Sequence, residues 1–352
     1  MVRFLASLGL LFSLASSVSA QSQRLPSVAV LRDIESAVHG AGIDRDEMLL
    51  MDSQANVISA VSGLGVCGSW SQQNTLQFDA EHQHIILAEN LRGRISMFDY
   101  NASCQLTIPM ENIHAITLND DATMIGCVVG RDLNKLQTVF CETTTGNEIR
   151  RLNWGGVALV NDVVGSRFWS VGKQLIAFDA EGEIAIRRPL TRLPAEPDHP
   201  PVINSRNWCG TGVAVEPNSN DSWRRVWVIE RDHPDVKGSR NRLFAVDPDG
   251  QTRILVDLKD IDPRSIACAK YHGNITRILV VDRTTGDLVS FNHDGELMGK
   301  VALETQLVRF EEHAGLWVAG RKSIKRLDPT DLSVIAEHEF EQECDIVGLA
   351  VR

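Results

Sequence analysis

Beyond residue 20 the chain has no apolar run near the ~20 residues that a membrane-crossing helix requires. Membrane insertion by a helix is therefore not expected of that part. Cations are also in short supply: 35 Lys and Arg stand against 46 Asp and Glu, a formal net charge of −11. Nucleic acid and anionic membrane both call for a basic surface, so neither is expected as a partner. Signatures of common catalytic sites are missing. There is no G-x-S-x-G, no H-E-x-x-H, no Walker loop and no EF-hand pattern. Residues 65–70, GVCGSW, resemble a nucleophile elbow only loosely and lack its strand-to-helix setting. Cysteine is sparse: seven residues, at 67, 104, 127, 141, 209, 268 and 344. That density excludes a disulfide-held miniprotein and leaves stability to a hydrophobic core. The odd count leaves at least one thiol unpaired in a monomer.

The first twenty residues, MVRFLASLGLLFSLASSVSA, have one Arg, an apolar centre and a small-residue end. They read as a secretory signal peptide spanning 1–20, so the protein is expected to be exported, secreted or periplasmic. Cleavage would start the mature chain at Gln21 and shift its net charge by one, to −12. Disulfides are permitted in such a compartment. No linker divides residues 21–352 into two compositions, so a single domain is expected.

Residues 212–258 show what the chain does contain: four apolar runs, VAV, VWVI, LFAV and ILV, separated by polar turns. Val, Ile, Leu, Phe and Trp suit a pleated, half-buried surface, and the runs are too short for helices. In the turn Asp247-Pro248-Asp249-Gly250, Gly supplies a positive φ and Asp can bond its own backbone. A lone four-stranded sheet cannot bury its faces, so it needs neighbours of its own kind.

The chain supplies them. A strand ending in Asp or a relative recurs as MLLMD (Asp52), ISMFD (Asp99), TVFCE (Glu142), LIAFD (Asp179), LFAVD (Asp247), LVSFN (Asn292) and IKRLD (Asp328). Seven copies average about 47 residues each, near the size of a propeller blade. The first copy has no inner strand at the N-terminus, and residues 345–352, DIVGLAVR, can supply one. The expected fold is an all-β, seven-bladed propeller of four-stranded antiparallel blades. Blade one is completed by the C-terminal strand, which closes the ring and removes two sheet edges.

The segments GVAVEP (212–217), RVWVIE (225–230) and RLFAVDPDG (242–250) resemble the secreted NHL/YVTN-type β-propellers. Weaker copies run through 277–295 and 315–329. The resemblance covers the mature chain as a pattern and implies a fold family that includes lactonases, lyases and pure interaction modules. It does not choose among them.

Strands are lettered A to D from channel to rim. The D–A and B–C loops then share one face, and the A–B and C–D loops share the other. Two insertions, 190–206 and 231–241, and the segment 34–44 all fall on the D–A/B–C face, where binding is expected. Trp70, Trp154 and Trp208 precede inner strands, and Asn153-Trp154-Gly155-Gly156 nearly repeats as Asn207-Trp208-Cys209-Gly210. These Trp either wedge between blades or floor a ligand site with Asn153 and Asn207. Trp169, Trp227 and Trp317 occupy strand B and read as core. The sequons at Asn101, Asn220 and Asn274 fall on the opposite face, so a eukaryotic glycoprotein would keep the insertion face clear.

The polar residues at or before inner strands are Asn74, His114, Arg264, Gln306 and Asp345, with Glu343 nearby. A metal-dependent lactonase would need several carboxylates there. This mixture reads as a polar ligand mouth, and no metal or cofactor is expected. His114 could titrate near neutral pH. Asp198-His199-Pro200 and Asp232-His233-Pro234 repeat a tripeptide that suits turns as well as a site. Cys127 and Cys141 are symmetric about Asn134 and could bridge across a hairpin, and Cys67 and Cys344 could lock the closure. Two functions remain. One is a binding or scaffold propeller that takes a small ligand or protein partner through His114, Gln306, Trp70, Asn153, Trp154, Asn207 and Trp208. The other is a propeller hydrolase or lyase using His114, Arg264, Asp345 and Glu343.

Overall fold

The apolar runs pair into seven four-stranded antiparallel sheets arranged as blades around a channel. The computed structural model describes residues 25–34, 46–66, 74–132, 135–162, 165–190, 212–217, 224–231, 241–271 and 275–352. The inner strands are Asp345–Val351, Leu76–Asp79, Ile113–Leu118, Ala158–Asp162, Gly212–Val215, Pro263–Tyr271 and Thr305–Glu311, for blades one to seven. Each packs against the next, and the last packs against the first.

Blade one is built from both ends of the chain. Asp345–Val351 pairs with Val28–Asp33, with Ala29 opposite Ala350 and Val30 opposite Leu349. The chain has a reason to close this way. Leu307, Trp317 and Ala319 of blade seven need a cover, and Val28, Val30, Ile346 and Leu349 provide it.

The core is divided rather than central. Side chains alternate across each strand, so every blade sends one set of residues into each flanking seam. There are seven apolar clusters, one per seam. Trp169, Trp227 and Trp317 are at most 1% exposed and fill three of these seams.

The recurring acid at the end of strand C has a local role. Asp52 Oδ1 accepts the N–H groups of Gln54 and Asn56, each at 2.9 Å. Asp99 does the same for Asn101 and Ser103, and Asn292 for Asp294 and Glu296. The turn then needs one residue with positive φ, which is Ala55, Ala102, Gly182, Gly250 and Gly295 in five blades. The motif is thus a turn-forming device repeated once per blade.

The expected Cys127–Cys141 bridge does not form, and both are free thiols. The hairpin register places Cys127 opposite Val139 and Cys141 opposite Ile125. The two thiols are diagonal neighbours, a Cα spacing of about 7–8 Å that is beyond ordinary disulfide reach. Burial pushes the Cys127 thiol well above the usual range, with the neighbouring Cys141 adding to it. Burial raises Cys141 to about 11. Cys344 is also free and buried, while Cys67 lies outside the described residues.

Candidate functional site

Two sites share the channel, one at each end. On the D–A side, three inner strands begin with a bulge: the ladder skips His114, Arg264 and Gln306 in turn. A bulge re-aims one side chain while the strand goes on, which is how polar residues come to stand at the mouth of an apolar strand.

The mouth residues form one group and two outliers. Gln306 Nε2 donates to Asp345 Oδ1 at 3.1 Å, and its Oε1 accepts the Ile346 N–H at 2.7 Å. Arg321 Nε donates to the same Asp345 oxygen at 3.0 Å. Arg264 reaches the Ile346 carbonyl at 3.4 Å. Burial pulls the Arg264 guanidinium down to about 10, Arg283 adds repulsion, and Asp345 opposes both. Blades six, seven and one thus meet in an arginine-rich cluster around a single carboxylate.

His114 stands apart, with its Nε2 2.7 Å from the Gly130 carbonyl of its own blade. Glu343 is exposed in the connection before Asp345, 3.7 Å from Lys322, which also pairs with Glu304 at 3.2 Å. Asn153 Oδ1 accepts from Gln137 at 3.3 Å. Trp154 is half-buried, with its ring edge-on to Phe178 at 4.4 Å. Trp70, Asn207, Trp208, Asp198, His199, Asp232 and His233 lie outside the described residues. Among the described residues, no three His, Cys, Asp or Glu side chains gather as metal ligands would.

Beyond the mouth lies a contact that the sequence reading missed. Arg309 of blade seven donates to Asn74 Oδ1 of blade two at 3.1 Å, and Asn74 donates to the Leu159 carbonyl of blade four. This bridge crosses the channel. On its other side a cavity of about 670 Å³ opens toward the A–B loops, lined in part by Gln77, Asn161, Glu216 and Lys270. The available signal was an Arg in the middle of an otherwise apolar inner strand, LVRF.

No family model matches the chain, and no curated protein matches it. Solved structures do. Dihydro-heme d1 dehydrogenase NirN, in complex with DHE, superposes with a TM-score of 0.56 at 9% identity, over 89% of this chain and 63% of that one. A streptogramin B lyase gives 0.52 at 11% identity, over 85% and 96%. The Myceliophteria thermophila Cps50 (Swd1) β-propeller domain gives 0.54 at 11% identity, over 84% and 93%. The likeness is one of fold. This chain spans under two thirds of the NirN chain, and at these identities neither chemistry nor ligand carries over.

Proposed function

We propose that the protein is an exported, NHL/YVTN-type binding propeller that holds a small ligand or protein partner on its D–A/B–C face. One observation carries this reading. The four longest connections between strands, 34–45, 65–75, 190–211 and 231–241, all join strand ends on that face. Long loops on a rigid scaffold are where binding surfaces are built.

The described parts of these loops are tethered to the blades. Asp46 accepts the Val66 N–H at 2.6 Å, and Glu89 accepts that of Gly65 at 3.1 Å. Arg231 pairs with Asp262 across the seam between blades five and six, at 2.5 Å. At the channel mouth on the same face, Arg264, Gln306 and Asp345 offer donors and an acceptor, so the face suits a ligand with both polar functions. The same Asp345 oxygen serves Gln306 and Arg321, which favours a positioning role for it over that of a free base. The sequon Asn101 is exposed on the opposite face.

The test is hydroxyl-radical footprinting of the full chain, alone and after incubation with the concentrated exported fraction of its source cells. Protection is expected in peptides covering 190–211 and 231–241. Protection confined to the A–B and C–D turns would overturn the reading.

A further inference from the structure

Arg309 sits in the inner strand Thr305–Glu311 with its guanidinium in the channel. Its two hydrogen bonds go to uncharged partners, the Val308 carbonyl at 2.9 Å and Asn74 Oδ1 at 3.1 Å. A guanidinium carries five N–H donors in a planar fork, so most of them remain for the cavity that Arg309 lines. So much protein surrounds the group that burial pulls it down to about 10, with no carboxylate acting against that. At neutral pH it is nonetheless a cation.

The other charges lining the cavity are engaged. Arg224 pairs with Asp162, and Lys270 with Glu312 at 3.2 Å. Glu216 accepts the Trp227 indole N–H at 2.7 Å and faces His293 at 3.0 Å. Glu311 accepts the His313 N–H at 2.7 Å. Arg309 is therefore the one lining cation, among the described residues, that has no carboxylate counter-ion. Arg309 is half-buried; a partly desolvated charge without a counter-ion is unfavourable, and an anion placed beside it offsets that.

We propose that this cavity is a binding site for a small organic monocarboxylate. The carboxylate accepts from the free fork of Arg309, a geometry that two parallel N–H···O bonds favour. The uncharged body lies against Leu76, Val160, Val213 and Ile266, which line the same cavity. The volume of about 670 Å³ is that of a small-molecule pocket. The lining also explains why the ligand carries one charge only. Asp162, Glu216, Glu311 and Glu312 oppose Arg224, Lys270 and Arg309 there, so a polyanion entering past them is repelled. The site stands at the opposite end of the channel from the D–A/B–C face and does not depend on what that face binds.

Isothermal titration of the full chain with benzoate, hexanoate, hexanamide and citrate tests the site. At least one monocarboxylate is expected to bind saturably, one per chain. Hexanamide should bind about tenfold more weakly or worse, the loss that follows from removing a charge-assisted hydrogen bond, and citrate should bind more weakly too, through repulsion by the lining carboxylates. In Arg309→Met the preference for acid over amide should vanish, and in Arg309→Lys part of it should remain. Failure of both monocarboxylates to bind would overturn the proposal. So would amide and acid binding equally to the native chain, or undiminished carboxylate binding in Arg309→Met. The acid–amide comparison on the native chain decides the matter even if Arg309→Met does not fold.

Discussion

Asp162 shows how one carboxylate can tie two blades together. It ends the inner strand of blade four and is 5% exposed. It accepts the Trp169 indole N–H at 3.2 Å, the Gly165 N–H at 3.0 Å and the guanidinium of Arg224 at the base of blade five. Arg224 is itself 7% exposed, and Asp162 is its direct ion-pair partner, with Asp120 adding negative charge nearby. Asp162→Ala is expected to lower the stability of the protein by about 3–5 kcal/mol, because it strands a buried cation. Pairing Asp162→Leu with Arg224→Met should recover much of that loss. Urea denaturation of the single and double variants checks it, and a single variant within about 1 kcal/mol of the native chain would contradict it. Little of this was visible in the sequence. Trp169 read correctly as core, but its indole partner lies on the neighbouring strand, where only the register of the ladder puts it. Arg309 escaped notice for a similar reason, since its partner is 235 residues away.

At the scale of the element, strands and turns were legible and register was not. Each strand C announced itself by its closing acid, because that acid makes the next turn. The Cys127–Cys141 pairing failed because a hairpin loop need not divide its residues evenly between its two strands, and turn geometry sets the register. The bulges at His114, Arg264 and Gln306 leave no local mark either, since they arise from how each inner strand meets its neighbour. Glycine at the start of an inner strand is a different matter. A Cβ on Gly156 would lie 2.3 Å from the Val171 carbonyl oxygen, which is backbone and cannot swing aside. Gly156→Ala should therefore destabilise by about 1–3 kcal/mol through forced backbone movement. Gly299, on the outer strand Leu297–Ala302, has nothing within 4 Å of that position. Gly299→Ala should be neutral or stabilising by about 0.5–1 kcal/mol. Thermal unfolding of both variants makes the comparison, and equal behaviour would contradict it.

At the scale of the whole molecule, the number of blades and the mode of closure followed from counting copies and noticing that the head lacks what the tail supplies. The direction of function was harder to see. The sequence pointed to the D–A/B–C face by its long insertions, and the strands that they connect end on that face. The cavity behind Arg309 opens the other way, built by the inner strands and the ends of their A–B loops, and none of the four longest connections marks it.

Every assignment of faces rests on Asp345–Val351 pairing with Val28–Asp33. Native-state hydrogen exchange, read by mass spectrometry on peptides covering these two strands, is the direct measurement. Both should be protected as strongly as the Ala158–Asp162 and Arg167–Val171 ladder of blade four, and both should open together as denaturant is added. Exchange of residues 345–351 at the rate of an unstructured chain, while blades two to six stay protected, would contradict the closed ring.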